Sequence, residues 1–167
     1  MEALVRVMGG SYRQMQAGKR TGFAPFQIED NEANRYFLAK LIKLMLKISG
    51  YIEDTESDKL IMQVIDGAFQ LPKSDRILRH IVPFFGMNQA GSMRSCMDKW
   101  VDKGIYAWVF DHDTDDFAVQ RDIMGFDMTT ILKDEICPVI YFYIFHHLEM
   151  AMDGTRTRIV VVEGWRA

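Results

Sequence analysis

Glu163 follows directly on the aliphatic run Ile159-Val160-Val161-Val162, and this is the strongest chemical signal in the chain. In nucleotide hydrolases a carboxylate at the carboxyl end of an inner strand faces the phosphates and polarises the attacking water. From spacing alone, the first residue of a loop is the commoner role of such a carboxylate. Hydrolysis of a triphosphate would also call for a loop of the G-x-x-x-x-G-K-[ST] type, whose backbone N–H groups and lysine neutralise the phosphates. Residues 1–167 contain none. The nearest approach is Gly18-Lys19, but Arg13 stands where the first glycine is needed and Arg20 where the metal-binding hydroxyl belongs.

Asp111-His112-Asp113-Thr114-Asp115-Asp116 spaces carboxylates as a calcium loop does, with Asp122 at the twelfth place. Asp116 occupies the position where such a loop turns on glycine, and the flanking segments read as strands rather than helices. A solvated acidic hairpin is the favoured reading, with weak cation binding as the lesser one. His146 and His147, adjacent on a helix, point about 100° apart and cannot share a metal through their rings. With His80 and His112 they read as surface or capping residues. Cys137 has no base nearby in sequence and reads as a small buried thiol. Arg76, Arg79 and Arg94 are the candidates to reach a neighbouring subunit's phosphates, and nothing in the sequence selects among them.

The elements that must position these groups fit one domain or one large lobe. The chain has 167 residues, 49% of them hydrophobic, which is enough for a sizeable core. Twenty Lys and Arg against 23 Asp and Glu give a net charge of −3, so nucleic acid could be met only by a local patch. The two cysteines, Cys96 and Cys137, support neither a disulfide framework nor a structural zinc site, and reduced cytosol is the expected compartment. The first residues lack the pattern of a secretory signal. Val139–Phe145 is far shorter than the roughly 20 residues that cross a bilayer and reads as part of a buried helix.

Periodicity predicts a helix over about Glu32–Ser49 capped by Asp30 or Asn31, a second over Ser57–Phe69 stopped by Pro72, and short helical pieces over Asp75–Phe85 and Ala90–Asp102. A long helix should start at Pro138 and end near Met152, because proline suits a first turn. Strands are predicted at Ser11–Gln16, Ile105–Phe110 and Asp122–Met128 from their branched and aromatic content. The run Ile159–Val162 suits a strand covered on both faces in a parallel sheet.

Three groups of residues, in colinear order over nearly the whole chain, resemble the ATPases that energise type IV secretion and conjugation in bacteria. The first comprises Gly9-Gly10-Ser11-Tyr12, Gly22-Phe23-Ala24-Pro25-Phe26-Gln27 and Asn34-Arg35-Tyr36-Phe37-Leu38. Ala107-Trp108-Val109-Phe110-Asp111 and Gly125-Phe126-Asp127-Met128-Thr129 form the second. The third is Pro138-Val139, Tyr143, Phe145-His146, Asp153-Gly154 and the strand into Glu163-Gly164-Trp165-Arg166, which is similar to that family's Walker B region.

The resemblance implies an α/β fold: part of a RecA-like P-loop NTPase domain, with a central parallel sheet flanked by helices and a helical insertion. Residues 1–167 are then expected to be a single incomplete ATPase domain, the segment between the phosphate loop and the end of the Walker B strand. Glu163 is implied as the catalytic base. ATP and Mg are implied as ligands of the intact family, with neither expected to bind this segment alone. Partners implied are other type IV secretion subunits at the cytoplasmic face of the inner membrane and further copies in a ring; DNA contact has no support in the residues. Val162 stands where the family usually has an aspartate, which puts metal binding and turnover in doubt. A non-catalytic module docking on secretion partners is the alternative.

Overall fold

The computed structural model describes residues 2–117 and 123–152. A short helix, α1 (Glu2–Val7), leads into strand β1 (Ser11–Gln14). Asn31, not Asp30, then caps the longest helix: its side-chain oxygen accepts the Asn34 backbone N–H at 2.8 Å, and α2 runs over Glu32–Ile48. Phe37, Leu38, Leu41, Ile42, Met45 and Leu46 recur at three- and four-residue steps and are all buried, so one face of α2 lies wholly in the core. Helix α3 (Ser57–Gln70) packs on α2 through Ile61, Val64, Ile65 and Ala68.

The next stretch is a chain of short turns. Helix α4 (Leu78–Ile81) passes into a 3-10 turn over Val82–Phe85, and α5 (Met93–Met97) into one over Asp98–Trp100. Trp100 is fully buried, and its indole N–H donates to Ser49 Oγ at 2.8 Å while Lys99 Nζ donates to the Ser49 carbonyl at 2.8 Å. The C-terminus of α2 is thereby clamped by the turn that follows α5, the carbonyl of its cap residue Ser49 receiving a donor that the helix itself does not provide.

Ile105–Phe110, expected as a strand, is instead a turn leading into a four-residue helix, α6 (Ala107–Phe110). Its burial explains the difference: Tyr106, Val109 and Phe110 are buried while Ile105 is exposed, a three- and four-residue spacing rather than an alternation. The chain reverses at Gly104 so closely that a Cβ there would lie 2.3 Å from the Lys99 carbonyl oxygen, and Tyr106 N–H donates to that carbonyl at 2.8 Å. Strand β2 (Met124–Asp127) therefore pairs not with 105–110 but with β1, in parallel, in the register Ser11↔Met124 to Gln14↔Asp127.

Helix α7 (Cys137–Met150) has Pro138 in its first turn, as expected, and packs Val139, Ile140, Tyr143 and Ile144 into the core beside α2. Tyr143 lies at the centre of an aromatic cluster, stacked on Phe23 at 4.6 Å and tilted against Phe110 at 5.3 Å. Among the described residues the architecture is thus mixed: helices around one core, with a two-stranded parallel sheet. Among them, no helix is long and apolar enough to cross a membrane. The expected strand Ile159–Val162 lies outside the described residues.

Candidate functional site

Glu163 also lies outside the described residues, as do Asp122 and Asp153-Gly154. The remaining candidates can be placed. The acidic segment after α6 is not a solvated hairpin, because its carboxylates serve four different purposes. Asp111 has a side chain only 5% exposed; it accepts the Arg79 Nε–H at 3.3 Å and the Asp102 backbone N–H at 2.9 Å. Asp113, at the surface, accepts Arg79 Nη1–H at 2.7 Å, and that guanidinium holds its carboxyl below the usual range. Asp115 turns inward to Tyr143, and burial pushes its carboxyl up. Asp116 lies against Gly22, whose carbonyl accepts the Asp116 backbone N–H at 2.7 Å. These directions diverge, and among the described residues no three acidic, histidine or cysteine side chains could hold a metal ion.

Contrary to the surface reading, His112 is buried and His146 and His147 are half-buried. The His146 ring stacks on Phe37 at 3.7 Å, with an interplanar angle of 3°, and its Nε2 is 2.9 Å from Asn34 Oδ1. His147 Nε2 lies 3.6 Å from Asp115 Oδ2. Burial holds both rings down to about 4, so each is neutral at physiological pH. His112 is 2% exposed, and burial lowers its pKa as well. Only His80 matches the expectation, capping the Asp75 carbonyl at the surface with Nδ1 at 3.1 Å. Cys137 is a buried thiol whose pKa burial raises, as its surroundings in sequence imply.

All three arginines considered as fingers have partners inside the chain. Arg79 bridges Asp111 and Asp113. Arg76 donates to the carbonyls of Leu71 and Phe69 and lies over the Phe69 ring. Arg94 Nε–H donates to Asp98 at 2.9 Å.

Arg13 and Arg20, noted in sequence only for spoiling a phosphate loop, turn out to line one cleft of about 380 Å³ with Thr21, Gly22 and Asp116, over Met15. Strand β1 delivers Arg13, whose Nη2–H donates to the Asp116 backbone carbonyl. Arg20 comes from the loop after β1, and its Nε–H donates to His112 Nδ1 at 3.2 Å. Two further bonds fasten that loop to α6: Thr21 N–H donates to the Trp108 carbonyl at 3.1 Å, and Thr21 Oγ1 to the Val109 carbonyl. Gly22 adopts φ +76°, which suits glycine, and a Cβ there would meet Asp116 Oδ2 at 2.8 Å. A short separation, Arg13 to Arg20 across a G-K-R-T-G turn, was the only trace of this pairing in the sequence.

No protein-family model matches the chain. Among curated proteins it is 31% identical over 168 residues to the type IV secretion system protein virB4 of Bartonella henselae, an alignment covering 99% of this chain and 21% of that protein. The virB4 protein of Bartonella quintana is 30% identical over 168 residues, again 99% of this chain and 21% of the relative. Protein virB4 of Agrobacterium fabrum is 27% identical over 159 residues, 93% of this chain and 20% of the relative. The chain thus spans about a fifth of the length of the curated relatives it matches. Similarity sustained over nearly every residue, to relatives of one name from separate bacteria, makes this chain a homologue of one part of the virB4 proteins of type IV secretion systems.

Proposed function

We propose that this chain is part of the ATPase motor of a bacterial type IV secretion or conjugation system, coupling ATP hydrolysis to pilus assembly or substrate transfer. The observation that carries the reading is the near-complete alignment with proteins named for type IV secretion. In the whole protein this segment would belong to a RecA-like domain, with β1 and β2 as two strands of its parallel sheet. The protein would act as a ring at the cytoplasmic face of the inner membrane, beside other secretion subunits. Glu163 would be the general base for attack of water on the γ-phosphate, and the phosphate loop would come from outside residues 1–167.

Val162 in the aspartate's place favours a second reading, a module that docks on secretion partners without turnover. Joining the segment to a phosphate-loop segment of its family and measuring magnesium-dependent ATP hydrolysis separates the two. The motor reading expects activity that Glu163→Gln lowers by about 10²–10⁴-fold, the usual weight of a general base. A folded, nucleotide-binding protein with no turnover, and no response to Glu163→Gln, would favour docking.

A further inference from the structure

Arg13 and Arg20 are held at one cleft by neutral acceptors. Among the described residues neither forms an ion pair: Arg13 donates to a backbone carbonyl and Arg20 to an imidazole nitrogen. Arg35 and Arg79, by contrast, each meet two carboxylates. A guanidinium positioned by a neutral group keeps its charge uncancelled, and its planar fork suits phosphate and carboxylate oxygens.

We infer that the Arg13–Arg20 cleft is a binding site for a phosphate group, free or esterified. Preorganisation is the first argument. The buried His112 ring accepts from Arg20 at Nδ1, and its Nε2 lies 3.0 Å from the Trp108 carbonyl, the arrangement of a neutral Nε2–H tautomer. Thr21 fastens the next residue of the loop to the same end of α6. Arg20 is therefore anchored through Nε, and Arg13 from the strand across the cleft through one Nη, so little side-chain freedom is left to lose on binding. Geometry is the second argument. Two forks from separate elements line the cleft, and a tetrahedral oxyanion can use both, whereas one fork saturates a planar carboxylate.

Charge sets the limit. Asp116, on the Gly22 side, adds one carboxylate to the wall, so the cleft carries two positive charges against one negative. That arrangement yields a sign that a mere surface arginine pair would not. Removing the Asp116 charge must strengthen anion binding, and removing either guanidinium must weaken it. At about 380 Å³ the cleft is large enough for a phosphate with a small organic group attached.

The test titrates the full chain with inorganic phosphate, glycerol phosphate and acetate at constant ionic strength, followed by phosphorus NMR and calorimetry. Saturable phosphate binding is expected, about tenfold weaker in Arg20→Gln and in Arg13→Gln, as loss of a charge-assisted hydrogen bond implies. Asp116→Asn should bind more tightly, and Lys19→Gln, next to the cleft but not lining it, should match the parent. Circular dichroism confirms that each variant folds, and Arg20, on an exposed loop, is the variant least able to disturb the core. Tighter binding of glycerol phosphate assigns the site to an esterified group, and equal binding to free phosphate. Absence of saturable binding, acetate binding as tightly as phosphate, or an Arg20→Gln variant indistinguishable from the parent would each overturn the assignment.

Discussion

The Tyr143 hydroxyl donates to Oδ2 of Asp115 at 2.6 Å, joining the middle of α7 to the acidic segment 28 residues before it. The same oxygen is 3.6 Å from His147 Nε2, and Asp115 Oδ1 accepts the Phe117 backbone N–H at 3.1 Å. A carboxylate that sequence places in a solvated run is thus a half-buried group bonded to an aromatic hydroxyl, and burial with that carboxylate raises Tyr143 well above the usual phenol range.

Tyr143→Phe keeps the ring and its stacking on Phe23 but removes the donor to a buried carboxylate. A loss of about 1–3 kcal/mol is expected, the cost of leaving such a group under-satisfied. Urea unfolding at neutral pH measures it, and an unchanged midpoint would mean that water already solvates Asp115.

Acid should destabilise the chain through two half-buried histidines. Both His146 and His147 are held down to about 4 by burial, so between about 6.5 and 4 the unfolded chain binds protons that the folded chain does not. Stability then rises with pH across that window, by at most about 1.4 kcal/mol per pH unit for each histidine. Asp115, raised by burial, acts with the opposite sign just above its ordinary value of 3.8. His147→Gln should flatten the dependence of unfolding free energy on pH between 4 and 6.5; an unaltered slope would contradict the assignment to His147.

Arg79 spans one buried and one exposed partner, and the two should differ sharply in weight. Asp111→Ala strands a guanidinium half-inside the protein and is expected to cost about 3 kcal/mol, whereas Asp113→Ala should cost under about 1 kcal/mol because water screens that end. Chemical denaturation of both variants gives the comparison, and equal losses would refute the difference in burial.

Trp100 locks the end of α2. Trp100→Ala should cost about 3–5 kcal/mol from the cavity left behind, and Ser49→Ala about 1–2 kcal/mol from the orphaned indole N–H. If thermal unfolding of Ser49→Ala matches the parent, the indole N–H has another acceptor.

Long amphipathic helices were legible because their signal is local and repeated. Phe37 to Leu46 on α2 and Ile61 to Ala68 on α3 carry the 3.6-residue period several times over, and Asn31 and Pro138 mark starts whose chemistry needs no distant partner. Ile105–Phe110 was misread because six residues hold too little period to separate strand from helix, and contact with the turn at Lys99 decided it.

Site chemistry divides along the same line. The residues alone determined that Cys137 is a buried thiol and that the chain resembles proteins of type IV secretion, since each depends on neighbours in sequence or on colinear motifs. Folding alone decided that His112 is buried and Asp115, His146 and His147 half-buried, that Arg79 is shared by Asp111 and Asp113, and that Arg13 and Arg20 line one cleft. Those pairings join residues up to 103 positions apart, as in the bond from Arg13 to the Asp116 carbonyl. Charge and burial at such separations depend on which surfaces meet, and no local pattern encodes that.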